Sequence, residues 1–376
     1  MDFTDFDSYI KHFNLTEEDI VKIVETLKST IDIFSVSSSD VVTFLAILYG
    51  FISLVAVFGN GLVILVVLKK KNMQTLTNIF IANLAFADVA LGIFVIPFQF
   101  QAVVLQRWVF SDFMCNVAPF VKILSVNVSV LTLTLIAIDR YMAVIHPLHA
   151  GFRKRVAVVV LLVIWLISTL SALPVAFYYT IQNMFRIKDI EERKRCVVKW
   201  PSENIRTFYC SYLILLQYLV PLSVITFSYV RITCRIWGST LPGNETNIRR
   251  ETARNSNRKK VVKMLIIVVC LFAFCWLPLQ IYSLFVIYNK EINEYKYINI
   301  IWLCSNWLAM SNACYNPFIY GLLNEKFKKE FKNLFTTCGG CCRQYRKMSI
   351  RRRSCNTEMV IQRNSTKTLR SSRSNS

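Results

Sequence analysis

The chain has 376 residues, of which 54% are hydrophobic and only 18% are charged, with a formal net charge of +21. A soluble domain is usually about a quarter charged, and the apolar residues here come in long blocks, so a water-soluble globular protein is excluded. The positive excess lies between these blocks and after the last of them, where it suits anionic lipid and not nucleic acid.

Seven apolar runs are each long enough to cross a bilayer as a helix, which takes ~20 residues. Two of them carry a single charge, Asp88 and Lys122, and the other five carry no Asp, Glu, Lys or Arg. Irregular backbone facing lipid would leave unpaired amides, so the sequence predicts an all-α membrane protein, a seven-transmembrane helix bundle over residues 41–323. We number the runs as the first to the seventh span: Val41–Leu68, Asn78–Gln106, Cys115–Ile138, Val156–Val175, Thr207–Val230, Met264–Asn289 and Tyr297–Asn324.

Basic residues follow the first, third and fifth spans, at Lys69–Lys71, Arg153–Arg155 and Arg249–Lys260. Positive loops favour the cytoplasmic side, so the acidic residues 1–40 are predicted to be extracellular. No apolar stretch precedes Val41, and we expect the first span to act as its own insertion signal. The predicted location is the plasma membrane, crossed several times.

The stretch after the seventh span is amphipathic over residues 324–337, with Phe327 and Phe331 at helical spacing among lysines. This pattern predicts a short eighth helix on the membrane surface. We expect palmitoylation of the cysteines that follow it, Cys338, Cys341 and Cys342, because no nearby histidine completes a zinc site. Residues 338–376 predict a disordered cytoplasmic tail. Its serines and threonines beside arginines suit basophilic kinases.

Two cysteines, Cys115 and Cys196, fall on the predicted outer side, where a disulfide can persist. A bond between them would tie the longest outer loop over the mouth of the bundle. Four Asn-x-Ser/Thr sequences occur, and the predicted topology leaves only Asn14 as a glycosylation site.

Asp88 is an ionisable residue in the middle of the second span, where such residues are costly. One interpretation is a neutral, hydrogen-bonded carboxylic acid. The other, which we favour, is a cation ligand or a charge-coupled switch.

Short motifs in every span resemble those of the rhodopsin-like (class A) G-protein-coupled receptors across residues 41–335. Each motif alone is weak, but their order and depth make the resemblance specific. They are Gly59-Asn60, Asn83–Asp88, Asp139-Arg140-Tyr141, Trp165 with Pro174, Pro221 with Tyr229, Phe272 with Cys275–Pro278, and Asn316–Tyr320.

The resemblance implies a switch at the cytoplasmic end of the third span. Asp139 would hold Arg140 at rest, and on activation Arg140 would turn toward Tyr229 and Tyr320 and contact a heterotrimeric G protein. The alternative is an ion pair that only anchors the end of the helix. The family's remaining switch positions fall on Tyr141, Trp276, Pro278, Asn316 and Pro317.

Pro278 and Pro317 remove backbone donors and are expected to kink their helices. Trp276 lies one half-turn below the bend at Pro278, facing the ligand cavity, and outward movement of the sixth span would open the cytoplasmic cleft. Many relatives pair the third-span arginine with an acid at the foot of the sixth span. This chain has Arg258–Lys260 there, so we expect appreciable signalling without ligand.

The resemblance also implies an allosteric sodium ion and no other cofactor. One carboxylate with hydroxyl and amide oxygens suits a hard monovalent cation. The residues implied are Asp88, Ser129, Asn312 and Asn316.

Within the class, stretches such as Phe98–Gln101, Ser125–Val130 and Trp307–Asn312 resemble neuropeptide Y-like receptors, particularly invertebrate RYamide receptors. The function implied is reception of an amidated neuropeptide of the RYamide or neuropeptide Y/F kind. The predicted ligand contacts are Gln99, Lys122, Gln217, Trp276, Gln280, Trp302 and Asn306.

Lys122 occupies the position where amine receptors carry an aspartate, which disfavours a biogenic amine. Met310 replaces the retinal-linking lysine of opsins. Two interpretations of Lys122 stay open: an amine that extends upward to water, or an ammonium that donates to the peptide.

Other classes fit the sequence less well. A membrane transporter would be expected to show internal repeats and more charges at mid-membrane. An intramembrane enzyme needs a nucleophile with a base or a pair of acids, and Asp88 has no partner acid, so we predict no enzyme. A class A receptor for another peptide family or for a lipid is the nearest rival.

Overall fold

The computed structural model describes residues 39–105, 107–146, 154–185, 192–237, 245–289, 292, 295, 297–334 and 336. The predictions at Asn14, Cys338, Cys341 and Cys342 and for the tail over 338–376 lie outside this part of the chain. Residues 39–323 contribute to one compact unit and residues from 324 onward to a second.

Helices cover all seven predicted spans. Six of them are long and apolar enough to cross a membrane by length and composition. The seventh has 26 residues, about 39 Å at 1.5 Å per residue, and it carries more polar side chains. The bounds are Ser39–Lys69, Leu76–Phe94 with Ile96–Val104, Asp112–Ile145, Lys154–Tyr178, Glu203–Ile214 with Leu215–Leu219 and Val220–Trp237, Glu245–Tyr288, and Ile298–Leu323.

Two spans are irregular for identifiable reasons. The second span is interrupted at Val95, immediately before the pair Ile96-Pro97, because proline has no N–H for the preceding turn. The fifth span contains a π-helical turn over Leu215–Leu219, and Pro221 follows two residues later. Pro278 and Pro317 lie inside helices that continue past them.

The sixth helix begins at Glu245, well before the predicted Met264. The prediction followed apolar character, which marks only the part of a helix that faces lipid. Residues 245–263 are largely polar, and their helical backbone extends beyond the apolar run.

Two short antiparallel strands between the fourth and fifth spans were not predicted from the sequence. Strand β1 is Tyr179–Phe185 and β2 is Glu192–Val198, paired with Ile181 opposite Cys196. Cys196 forms a disulfide with Cys115 at the start of the third span, as predicted. We call this end of the bundle the disulfide end and the opposite end the Arg140 end.

Close approaches of small residues hold neighbouring spans together. A Cβ atom at Gly59 would lie 3.0 Å from Pro317 of the seventh span, and one at Gly92 would lie 2.8 Å from Val57 of the first span. Small residues at such crossings let backbones approach in lipid, where apolar side chains alone give little net attraction between helices.

Buried amides connect the spans further. Asn60 is fully buried and donates to the carbonyl of Ala313 in the seventh span at 2.8 Å. Asn83 donates to Thr132 of the third span and accepts from the indole of Trp165 in the fourth, each at 2.9 Å. Large apolar side chains, in contrast, remain exposed on the outside of the bundle, for example Phe51 and Leu162, where the lipid would contact them.

In the second unit, residues 325–334 are helical. The rings of Phe327 and Phe331 lie 5.8 Å apart on one side, while Lys326, Lys328 and Lys329 are exposed. This pattern agrees with the predicted amphipathic helix, whose place on a membrane surface stays a prediction.

Gly92→Leu should destabilise the bundle, because even its Cβ would collide with Val57. Overpacking of this kind typically costs ~1–3 kcal/mol, and we expect a lower thermal unfolding midpoint of the purified protein. Gly50→Leu is the matched control, since a Cβ there meets nothing within 4 Å. Equal midpoints for the two variants would contradict this account of the helix crossing.

Candidate functional site

A cluster of polar side chains lies in the half of the bundle toward the disulfide end. The Lys122 ammonium donates to Oδ1 of Asn306 at 3.0 Å and lies 5.9 Å from the ring centre of Trp302. Asn306 in turn donates through Nδ2 to the Tyr49 hydroxyl at 3.3 Å and to Oε1 of Gln99 at 3.4 Å. We call these five residues the polar cluster; they come from the first, second, third and seventh spans.

Tyr49 was not among the predicted site residues. Its hydroxyl donates to the carbonyl of Leu303 at 2.9 Å, and its ring stacks on Phe100 at 5.0 Å. A tyrosine in an apolar run carries no signal of its own in the sequence, because only the packing of the first span against the seventh places its hydroxyl beside Asn306.

Two predicted contacts, Gln217 and Gln280, lie apart from the polar cluster. Gln217 is buried in the π-helical turn and donates to Oδ1 of Asn127 at 2.8 Å. Gln280 is buried on the sixth span, and no hydrogen bond joins it to the cluster among the described residues. The structure therefore brings together four of the seven predicted ligand contacts: Gln99, Lys122, Trp302 and Asn306.

Trp276 lies deeper in the bundle, above a small cavity. Its ring packs 5.9 Å from that of Phe272, and its indole N–H has no acceptor among the described residues. The cavity measures about 20 Å³ and is lined by Asp88, Ser129 and Asn312 as well as by Trp276.

Three of the four residues implied for sodium thus line one cavity, and the fourth, Asn316, bonds to the carboxylate in it. Asn316 donates to Oδ2 of Asp88 at 2.9 Å, and Ser129 donates to Oδ1 at 3.5 Å. A volume of this size can hold a single water-sized occupant. Its carboxylate, hydroxyl and amide oxygens are the donors that a small hard cation requires.

At the Arg140 end, the Arg140 guanidinium forms an ion pair with the neighbouring Asp139, and its Nε also donates to that carboxylate at 3.1 Å. A second group, the Thr77 hydroxyl of the second span, accepts from Nη2 at 2.8 Å. Thr77 was missed by the sequence analysis because only the fold brings it to the arginine.

The three tyrosines predicted as switch residues lie on the third, fifth and seventh spans. Tyr229 and Tyr320 are buried, and the Tyr141 ring lies 6.1 Å from Phe227.

The sixth span has helical backbone at Arg258–Lys260, but the side chains there lie outside the described part.

The polar cluster and the contacts of Arg140 are far apart along the bundle. Lys122 and Arg140 are 18 residues apart in one helix, about 27 Å at 1.5 Å per residue. This spacing suits transmission between two ends of a bundle, as in a receptor that spans the membrane.

The comparison with known families agrees with this architecture. Residues 59–320 match the sequence model of the 7 transmembrane receptor (rhodopsin family). The chain belongs to this family and is a rhodopsin-like, class A G-protein-coupled receptor. The predictions of a seven-helix membrane fold and of a receptor, not an enzyme, are confirmed.

Individual relatives come from vertebrates and insects. A substance-P receptor of Mus musculus is 38% identical over 293 residues, 77% of this chain and 70% of the relative. The tachykinin-like peptides receptor 99D of Drosophila melanogaster is 36% identical over 298 residues, 78% of this chain and 57% of the relative. A neuromedin-K receptor of Oryctolagus cuniculus is 38% identical over 291 residues, 77% and 61% of the two chains.

These relatives do not confirm the narrower resemblance to neuropeptide Y-like and RYamide receptors. Of the stretches that carried it, Ser125–Val130 is mostly buried and Trp307–Asn312 is buried at half of its positions. Such residues report how the spans pack, which related receptors share, more than what they bind.

Thr77→Val should raise signalling in the absence of ligand, because it removes one of the two groups that hold Arg140. A hydrogen bond to a charged group contributes ~1.5–3 kcal/mol, so we expect a rise of about tenfold in ligand-free G-protein activation at equal surface expression. The matched control is Thr134→Val, since the Thr134 hydroxyl donates only within its own helix, to Val130.

Two comparisons decide the outcome of this measurement. Arg140→Ala sets the level without coupling, and wild-type activity at that level would contradict the expected ligand-free signalling. A Thr77→Val variant no more active than Thr134→Val would contradict a restraining role for Thr77.

Proposed function

We propose that this receptor binds a short peptide at the disulfide end and transmits the event to a heterotrimeric G protein at the Arg140 end. The polar cluster carries the proposal. Its partly exposed members are the Lys122 ammonium, the Gln99 amide and the Trp302 ring, and these groups match the carbonyls and amides of a peptide backbone. The buried Tyr49 and Asn306 form the floor behind them.

The proposed peptide class is tachykinin-like. Three relatives at 36–38% identity are named as receptors for substance P, for tachykinin-like peptides and for neuromedin K. RYamide and neuropeptide Y/F peptides, expected from the sequence, become the second candidate class. The sequence-based expectation of an amidated peptide end is compatible with both.

A lipid ligand is a weaker candidate, because the polar cluster would have to be desolvated against hydrocarbon at a cost of several kcal/mol. The transporter interpretation is set aside by membership of the receptor family.

The proposed transmission is a shift between two packings of the bundle, biased by a ligand that prefers one of them. Trp276 lines the cavity beside Asp88, so a ligand pressing on this ring would disturb that cavity. Movement of the sixth span about Pro278, with adjustment near Pro317, would then open the Arg140 end. Release of Arg140 from Asp139 and Thr77 would free it for the G protein.

The proposed orientation places residues 1–40 and the disulfide end outside the cell, in the plasma membrane. The oxidising exterior is where a disulfide such as Cys115–Cys196 persists. Arrestin and receptor kinases are proposed partners of the tail, and membrane lipid is the proposed contact of residues 324–337.

Cells expressing the chain should respond to one peptide class in calcium and cyclic-nucleotide assays. We expect nanomolar responses to substance P, neuromedin K or an insect tachykinin-like peptide, all lost with Arg140→Ala at equal surface expression. Responses confined to amidated peptides ending in Arg-Tyr or Arg-Phe would transfer the assignment to the second class. Silence to both sets, with surface expression confirmed, would contradict both peptide assignments.

We also propose that Asp88, Ser129 and Asn312 hold a sodium ion, with Asn316 orienting the carboxylate. When bound, the ion would neutralise the buried carboxylate and favour the resting packing of the bundle. An agonist that favours the other packing would by linkage oppose the ion.

The sodium proposal predicts that sodium chloride raises the thermal midpoint of the purified receptor relative to choline chloride, because an ion that binds only the folded state stabilises it. Asp88→Asn should abolish the difference. Ser53→Ala should retain it, since the Ser53 hydroxyl bonds to Gly92 and does not line the cavity. Equal wild-type midpoints in both salts would exclude the site.

A further inference from the structure

Lys122 is a cation without a counter-ion in the described part of the structure. Its ammonium has two neighbours, the neutral Oδ1 of Asn306 and the face of Trp302. The described ion pairs all lie elsewhere, at Arg140, Lys194 and Arg206. Asp88, the one acid within the apolar runs, bonds instead to Asn316 and Ser129.

Lys122 lies deep in the bundle, where a cation without a counter-ion is unusual. Lys122 lies 7 residues before Ser129 on the third span, only about 10 Å from it along the helix axis at 1.5 Å per residue. The side chain turns across the bundle to the seventh span, so the interpretation of a lysine that merely extends upward to water does not describe it. An unpaired charge at membrane depth is costly and marks a functional site with a partner to be named.

Two side chains of the seventh span position the Lys122 ammonium for such a partner. Trp302 and Asn306 are four residues apart and therefore share one face of that helix. Trp302 lies one turn nearer the disulfide end. The ammonium thus lies between an amide oxygen below and an aromatic face above, and Asn306 occupies one of its three N–H donors.

Asn306 itself is loosely held on its donor side. Its bonds to Tyr49 and Gln99 are long, at 3.3 and 3.4 Å, beyond the usual range for N–H···O bonds. Asn306 is fully buried and both of its amide N–H groups already donate. The two remaining N–H donors of the partly exposed Lys122 are therefore the ones available to an acceptor with two oxygens.

We propose that Lys122, held in place by Asn306, forms a subsite for a carboxylate on the ligand, supplied by an Asp or Glu side chain of the peptide. The proposal builds on the proposed function in taking the ligand to be a peptide with an amidated end. An amidated peptide has no terminal carboxylate, so the acid must come from a side chain. A carboxylate compensates the buried ammonium, and charge-assisted bonds are the strong ones.

Charge-matched peptides give the sharpest test. The most potent peptide of the panel is synthesised with Asp, Asn or Lys at each position in turn, and its potency is measured on wild type and on variants at Lys122. On wild type we expect one position where Asp exceeds Asn by about tenfold or more. Lys122→Met, similar in size but uncharged, should remove that preference, and Lys122→Arg should retain it.

Charge reversal adds a result that a purely structural lysine would not give. Lys122→Glu should favour Lys over Asp at the same peptide position, which is the pattern of a direct pair in a double-mutant cycle. Equal potency of the Asp and Asn forms at every position on wild type would overturn the proposal. So would a preference that Lys122→Met leaves unchanged.

A second measurement needs no agonist and separates this proposal from the choice of peptide class. N-acetyl-aspartate amide at millimolar concentration should raise the thermal midpoint of the purified wild-type receptor, while N-acetyl-asparagine amide should not. The shift should vanish in Lys122→Met and persist in Gln217→Ala, whose side chain lies at Asn127. If no peptide of the panel is active, this pair of probes decides the proposal alone, and equal midpoints with the two probes would overturn it.

Discussion

The bilayer supplies no water to hydrogen-bond groups inside it, and this constraint shapes the rest of the structure. Each span satisfies its backbone within its own helix, which leaves little force to join one span to the next. Close approaches at Gly59 and Gly92 and buried amides at Asn60 and Asn83 supply that force. The polar residues of the interior therefore determine how the helices pack, and they are also the residues available for signalling.

The third span connects the functional regions. Cys115, Lys122 and Ser129 recur at intervals of seven residues, and Arg140 follows eleven residues later. Seven residues make about two turns and eleven about three, so all four lie on one stripe of the helix. Down that stripe the helix meets the disulfide, the polar cluster, the cavity beside Asp88 and the Arg140 switch.

The two cations on this stripe, Lys122 and Arg140, differ in their electrostatics. At the Arg140 end the cation is paired with a carboxylate beside it in sequence, so the resting arrangement is self-contained. Among the residues that the structure describes, the Lys122 cation meets only a neutral amide and an aromatic face. One charge is satisfied within the protein and the other awaits a partner from outside. This asymmetry is what a receptor needs if ligand binding is to change the balance between two packings.

Hydropathy and motifs predicted the seven helices, the Cys115–Cys196 bond and the contacts of Asp88 with Ser129 and Asn316 and of Arg140 with Asp139. Solvent type and local backbone chemistry are readable along the chain, whereas the roles of these contacts in signalling stay predictions. The sequence did not predict the strand pair, the extended sixth helix, or Tyr49 and Thr77 as neighbours of Asn306 and Arg140. Gln217 was predicted to contact the ligand, yet the fold directs that side chain to Asn127. Which polar groups meet depends on the rotation and crossing of each helix against its neighbours. That is decided only when all spans pack together, because no single run of residues contains the partner's surface.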